Sequence, residues 1–174
     1  LEKLESHVFS NCTALTEVTL PSGLKEIGNS AFSCCESLRQ ITIPEGIREL
    51  PDSIFHRCSS LERVVLPGVL EKIGRFAFFG CKDLTQITIP EGVTVLEESS
   101  FYGCSSLREV TLPSTLTEVE KDIGFDGIPG LKIHTGELLH KKEKLSAYLR
   151  QLYTGEPADS AWIALYQADA KWKD

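Results

Sequence analysis

The chain has 174 residues, of which 41% are hydrophobic, and a formal net charge of −7. No apolar run approaches the roughly 20 residues that a membrane-spanning helix needs. The longest Lys/Arg run is the pair Lys141-Lys142, so the sequence lacks the basic face that nucleic-acid phosphates require, and anionic membranes are disfavoured for the same reason.

A repeat of constant length organises the chain as far as about Glu120, and no insertion breaks it across five copies. The length of one repeat equals the separation along the sequence between Pro21 and Pro44. Four residue types mark it: the prolines Pro21, Pro44, Pro67, Pro90 and Pro113, the phenylalanines Phe9, Phe32, Phe55, Phe78 and Phe101, the leucines Leu15, Leu38, Leu61, Leu84 and Leu107, and the cysteines Cys12, Cys35, Cys58, Cys81 and Cys104.

Each copy begins with the pattern Leu-x-x-apolar-x-apolar-Pro, as in Leu84–Pro90. The alternation predicts a short strand with one buried face. The proline ends the strand because it has no N–H to donate to a neighbouring strand. A second apolar pair, Val93 and Leu96 in this copy, predicts a second inward-facing segment before the chain returns through the Phe and Cys positions.

One copy cannot bury its own apolar residues, but copies stacked about 4.7–4.9 Å apart bury one another. The sequence therefore predicts a solenoid with a parallel sheet, in which equivalent side chains form columns along the core. We expect Phe32, Phe55 and Phe78 to touch one another.

These copies resemble the leucine-rich repeats of BspA-like surface proteins, whose usual text is close to C-x-x-L-x-x-I-x-I-P-x-x-V-x-x-I-G-x-x-A-F. The segments Ile27–Phe32 and Ile73–Phe78 match it closely, and the resemblance covers roughly residues 1 to 120. Departures are local and remove no inward apolar anchor: Pro51 and Glu97 replace the glycine, Ser100 replaces the alanine, and Val69 and Thr115 stand where other copies have glycine.

The resemblance implies an α/β-type repeat solenoid, a right-handed leucine-rich repeat coil with a parallel β-sheet and short irregular or second-strand return legs. It also implies a bacterial surface or secreted protein whose repeats display an extended face for protein recognition or adhesion. Leu1 aligns with Leu24 and the sequence contains no methionine, so we expect it to be a piece of a longer protein.

The cysteines at the repeat position are predicted to form a reduced, buried ladder, because each occupies a small core site. The alternative, disulfides between adjacent coils, requires a Cα spacing at the lower edge of the acceptable range. Cys34 lies outside the repeat pattern and is predicted to face outward beside Cys35.

The pattern weakens after Pro113, since Gly124 and Gly127 occupy the Phe and Cys positions of a degenerate sixth coil. From Glu137 the apolar period becomes helical, which predicts one helix from about 136 to 153 and a second from about 158 to 172. We therefore predict a solenoid domain over 1–135 and a C-terminal α-helical cap over 136–174. The alternative is that Trp162, Tyr166 and Trp172 dock another domain or chain.

No phosphate-binding loop or nucleophile elbow is present, and the sequence predicts no enzyme and no cofactor. His134, Glu137 and His140 stand at three-residue steps, but no fourth ligand accompanies them, so surface polarity is the preferred interpretation. Asn11-Cys12-Thr13 matches a glycosylation sequon and is discounted, because Cys12 is predicted to anchor the core.

Function is therefore assigned to the outward columns. The column after the ladder Phe reads Ser10, Ser33, His56, Phe79 and Tyr102, and it becomes aromatic in the last three copies, with Phe76 nearby. Exposed adjacent aromatics are typical of partner-binding surfaces; mutual packing without a partner remains the alternative. With the strand-face arginines Arg39, Arg63 and Arg108, these aromatics form the predicted partner-binding set.

The sequence thus predicts a non-catalytic module that binds a protein partner, a host or cell-surface protein, at a bacterial surface or after secretion. A structural spacer within a longer multidomain protein is the alternative, and an enzyme is the least favoured. No nucleic-acid partner and no membrane insertion is expected for this segment.

Overall fold

The computed structural model describes residues 1–120, 122–125 and 128–135. These residues form a stack of six coils, which we number from the coil that contains Phe9 to the coil that contains Phe125. Each complete coil has one longer strand or its irregular equivalent, then a two-residue strand, then a return leg of successive turns. The strands are β1 (Lys3–Leu4), β2 (Glu26–Ile27), β3 (Gln40–Thr42), β4 (Glu49–Leu50), β5 (Arg63–Val65), β6 (Lys72–Ile73), β7 (Gln86–Thr88), β8 (Val95–Leu96), β9 (Glu109–Leu112), β10 (Glu118–Val119) and β11 (Lys132–Thr135).

All strand pairs are parallel, and most partners lie one repeat apart, as in Ile41 with Val64 and Leu50 with Ile73. The longer strands form the strand face, in the orders β3-β5 and β11-β9-β7. The two-residue strands form a second face, in the orders β1-β2 and β10-β8-β6-β4. In coil 1 the segment 15–20, predicted to be a strand, forms none; Arg39 N donates to Thr16 O at 3.3 Å.

The buried core consists of the columns of equivalent side chains that the sequence predicts. Neighbouring ladder phenylalanines stack with ring centroids 5.3–5.8 Å apart and interplanar angles of 11–25°. The contacts expected among Phe32, Phe55 and Phe78 are confirmed, and all three rings are fully buried. Each of these rings stacks on those of the adjacent coils, as in other solenoids.

The sixth coil keeps the Phe column although Gly124 occupies its repeat position. Phe125 reaches the column instead, with its ring centroid 5.3 Å from that of Phe101. Gly124 allows this shift, since it has φ +91° and a Cβ there would lie 2.3 Å from Tyr102 N. A residue with a side chain could not occupy this position without moving the backbone of coil 5.

The predicted fold class is wrong in its helical part. The described residues form a parallel β-solenoid of strands and turns with no helix, so the α/β-type class with a C-terminal α-helical cap is not supported. The segments 136–153 and 158–172, where the helices were expected, lie outside the described residues, as do Trp162, Tyr166 and Trp172. The domain boundary between 135 and 136 stays a prediction.

We expect Phe55→Ala to lower the free energy of unfolding by about 3–5 kcal/mol, because it removes the ring at the middle of a fully buried column and leaves a cavity. Urea unfolding followed by circular dichroism measures this loss. The control is Phe9→Ala, at the half-buried end of the column, where a smaller loss is expected. A loss below about 1 kcal/mol for Phe55→Ala would contradict a close-packed column.

Candidate partner-binding surface

The outward aromatics of coils 3 to 5 form one cluster on the return-leg side. His56 and Phe79 stack with ring centroids 5.0 Å apart, and Phe79 and Tyr102 stack at 5.3 Å. Phe76 meets Phe79 edge-on, at 5.9 Å and 70°. We call His56, Phe76, Phe79 and Tyr102 the aromatic patch. The structure therefore brings together four of the seven predicted site residues.

The repeat register positions this patch directly above the core. Each stacked patch ring follows a ladder Phe by one residue, so the ladder ring points inward and the next ring points outward. Backbone hydrogen bonds hold the spacing: Arg57 N donates to Phe79 O at 2.7 Å, and Gly80 N donates to Tyr102 O at 2.7 Å. The patch is thus built on backbone that is bonded from coil to coil.

The rings of the patch are only partly covered. Tyr102 is 50% exposed, and His56, Phe76 and Phe79 are half-buried. Because Phe79 is stacked between His56 and Tyr102, it offers mainly its ring edge to solvent, whereas each end ring has one face covered by Phe79. The pKa of His56 is lowered by its partial burial and by the positive charge of Arg57, so the imidazole is neutral at pH 7 and the patch is uncharged.

Phe76 stands in a backbone conformation that bulky residues rarely adopt. Its φ is +54°, and the equivalent positions of the other coils, which share a positive φ, carry His7, Ser30, Ser53, Ser99 and Asp122. The left-handed region costs an L-residue roughly 1–2 kcal/mol. Because the positive φ recurs in all six coils, the turn of the repeat imposes it, and Phe76 is the largest side chain at this position.

The three predicted arginines do not form one site with the patch. Arg39 pairs with Glu62 at 3.3 Å, and Arg63 is exposed on β5. Arg108 differs from both, because its Nη1 donates to Ser105 O at 3.1 Å and to Leu107 O at 2.9 Å. This side chain folds around the corner of coil 5 toward the return-leg side, where Tyr102 lies.

A shallow groove with a volume of about 650 Å³ crosses the strand face of the first three coils. Its lining includes Glu17, Gln40, Arg63 and Val65 and contains no aromatic residue. Opposite charges and neutral groups line the groove together, so it presents no single recognition chemistry. The sequence did not predict this groove, since it depends on how coil 1 departs from strand geometry.

Four of the five repeat cysteines are buried and unbridged, as predicted: Cys35, Cys58, Cys81 and Cys104. Each thiol donates to the carbonyl of the ladder Phe in the preceding coil, at 3.0–3.2 Å. The prediction is wrong for Cys12, which is exposed, and Cys34 is half-buried. Burial raises the pKa of Cys104 to about 12, so this thiol is a poor nucleophile.

We expect alkaline pH to destabilise the protein through this ladder. The thiol of Cys104 ionises near 9.0 when unfolded but only at about 12 when folded. Between these values the folded state binds more protons, so the free energy of unfolding falls as pH rises, by at most about 1.4 kcal/mol per pH unit for this thiol. Urea unfolding across this range measures the slope. Cys104→Ala should flatten it, and an unchanged slope would contradict the assignment.

No metal site is formed by the described residues: no three of their His, Cys, Asp and Glu side chains lie close enough together to hold an ion. His134 instead pairs with Glu109, with Nε2 and Oε1 2.8 Å apart. Glu137 and His140, considered with it as ligands, lie outside the described residues. The described part of the chain also contains no helix that could cross a bilayer.

The repeats identify the class of protein. Residues 1–107 match the family described as the BspA-type leucine-rich repeat region, in six copies. The match covers more than half of the chain, and the chain belongs to this family. Its members are leucine-rich repeat proteins of bacterial surfaces, generally non-enzymatic, and leucine-rich repeats generally mediate protein interaction.

Solved structures with the same fold come from several bacteria. The leucine-rich repeat protein TpLRR of T. pallidum is 28% identical, with a TM-score of 0.71 over 89% of this chain and 77% of the other. A leucine-rich repeat protein from Bacteroides ovatus is 27% identical, with a TM-score of 0.57 over 78% of this chain and 44% of the other. A leucine-rich cell surface protein from Faecalibacterium prausnitzii shares the fold at 21% identity, with a TM-score of 0.53 over 85% and 54%. No curated protein sequence matches the chain.

Proposed function

We propose that this protein is a non-catalytic protein-interaction or adhesion module of a bacterial cell-surface or secreted protein, and that the aromatic patch binds its partner. The observation that carries the proposal is the stack of His56, Phe79 and Tyr102, joined edge-on by Phe76 and open to solvent at its edges. Aromatic side chains are enriched where proteins bind one another.

The large side chain of Phe76 supports a binding role over mutual packing. A patch that served packing alone would gain little from a phenylalanine in the left-handed region, where the neighbouring coils have Ser53 and Ser99. The family supports the location, since its members are bacterial surface proteins. Of the predicted arginines, Arg108 folds onto the turn at Ser105, whereas Arg39 and Arg63 belong to the strand face, so we assign Arg39 and Arg63 no part in binding there.

The double variant Phe79→Ser/Tyr102→Ser tests the proposal. Against an array of purified secreted and cell-surface proteins, measured by biolayer interferometry, we expect a partner whose affinity falls at least about tenfold, because central aromatic anchors contribute most of the binding energy.

The matched control is Val65→Ser/Val69→Ser, which removes two apolar side chains of similar exposure, 41% and 40%, outside the patch. Its affinity should equal that of the wild type. Equal binding by the aromatic variant, with unchanged thermal unfolding, would remove the patch from the binding site. Absence of any binder on the array would favour the spacer role.

Phe76→Ser separates binding from stability. The free energy of unfolding should fall by about 0.5–1.5 kcal/mol, because the edge-on contact with Phe79 is lost while serine holds the same left-handed backbone, as Ser53 and Ser99 do. Affinity for the partner should fall. Urea unfolding and interferometry on the same preparation measure both quantities, and a large stability loss with unchanged affinity would assign Phe76 to packing.

A further inference from the structure

The backbone beside the aromatic patch has glycine, and so no side chain, in two successive coils. The position two residues after the ladder Phe has a positive φ in coils 1 to 5, and in coils 4 and 5 it is Gly80 and Gly103. A Cβ built at Gly103 would lie 3.4 Å from Gly80 Cα, so the two glycines are in direct succession. They form a shelf without side chains, in sequence directly after Phe79 and Tyr102.

Cations border this shelf. Arg57 stands at the equivalent position of coil 3, with its Cγ 3.5 Å from where a Cβ of Gly80 would be. Lys82 follows the shelf in coil 4, and Arg108 bonds through its Nη1 to Ser105 O, two residues after Gly103. The segments 56–59, 79–82 and 102–105 contain no carboxylate, although acidic residues outnumber basic ones by 25 to 18 in the whole chain.

These three cations are available for a partner. Arg57, Lys82 and Arg108 are exposed, and none forms an ion pair with a described residue. Most other basic side chains of the described coils are neutralised by a carboxylate of the same or another coil: Lys3 with Glu26, Lys25 with Glu2, Arg48 with Glu71, Lys72 with Glu97 and Arg75 with Glu120. Uncompensated positive charge is thus concentrated beside the uncharged rings.

The exposed ring edges favour a protein over a glycan or a nucleic acid. Sugars and bases bind aromatic residues by stacking on ring faces, and here both faces of Phe79 and one face each of His56 and Tyr102 are covered by the neighbouring rings, at 5.0–5.3 Å. Ring edges beside a bare shelf suit an aliphatic or aromatic side chain of a polypeptide, since an edge carries the positive side of the ring quadrupole and packs against another ring's face.

We propose, on the basis of the function proposed above, that the aromatic patch binds an acidic polypeptide segment. An apolar anchor of that segment sits on the Gly80–Gly103 shelf against Phe79 and Tyr102. Its flanking carboxylates pair with Arg57, Lys82 and Arg108. Charged groups at the rim of such a site steer the partner and select its sign of charge, while the apolar anchor supplies most of the affinity.

Selection from a random peptide library displayed on phage tests this assignment without a known partner. Peptides enriched on the wild-type protein, and not on Phe79→Ser/Tyr102→Ser, should carry a net negative charge and at least one aromatic or large aliphatic residue. Enrichment of neutral or basic peptides that still requires the rings would overturn the acidic assignment and leave the patch as a binding site. If no enrichment depends on the rings, both the acidic assignment and the patch as a binding site are overturned. Binding of the rings to an array of anionic glycans, in place of peptides, would overturn both as well.

The role of the cations beside the shelf, Arg57, Lys82 and Arg108, is then tested by measuring the binding of one enriched peptide by fluorescence anisotropy. Arg57→Glu should weaken binding at least about tenfold at low salt, and the difference from the wild type should shrink as the ionic strength rises. Arg63→Glu, the same charge change on β5 of the strand face, should alter affinity less than about twofold. Asp83→Asn, which removes the carboxylate next to Lys82, should strengthen binding. Equal effects of Arg57→Glu and Arg63→Glu, or weaker binding by Asp83→Asn, would overturn the proposal.

Discussion

The stacking of coils at one constant repeat length is the constraint on which this structure depends. It sets the parallel pairing on both faces, as in Leu50 with Ile73, and it brings the ladder phenylalanines within 5.3–5.8 Å of one another. Because each coil buries its apolar residues only against its neighbours, a lost or added residue would displace every column beyond it. The register therefore governs core and surface together.

The same register builds the partner-binding surface. A position one residue after a buried ring lies outside the core in every coil from 2 to 5, so a change from serine to an aromatic in three successive coils produces a stack. The core columns are unaffected, because inward and outward positions are separate. A solenoid of this kind can acquire a recognition surface by substitution in outward columns alone, and Phe76 shows that an aromatic residue is accommodated there despite an unfavourable φ.

The cysteine ladder shows how polar groups are satisfied inside such a narrow core. Each ladder Phe carbonyl accepts a backbone hydrogen bond from the Cys of its own coil, as from Cys58 N to Phe55 O at 3.1 Å, and its second lone pair can accept one more. The thiol of the coil after it supplies a weak donor at 3.0–3.2 Å, as from Cys58 to Phe32 and from Cys81 to Phe55. The thiols thus fill small sites and pair backbone oxygens at once, and this accounts for cysteine where another small apolar residue would also fit.

The sequence by itself determined the repeat register, the inward columns and the outward aromatic positions, because a constant repeat length reports which side chains recur at one place on each coil. Only the tertiary structure decided where the chain departs from that register. Phe125 replaces Gly124 in the core, segment 15–20 forms no strand, and the Arg108 side chain folds onto the turn at Ser105. The positive φ at positions such as Phe76, and the absence of any helix from the described coils, are likewise properties of the folded backbone. Hydrogen bonding between coils sets these features, and a pattern of apolar residues carries no information about which backbone groups find partners.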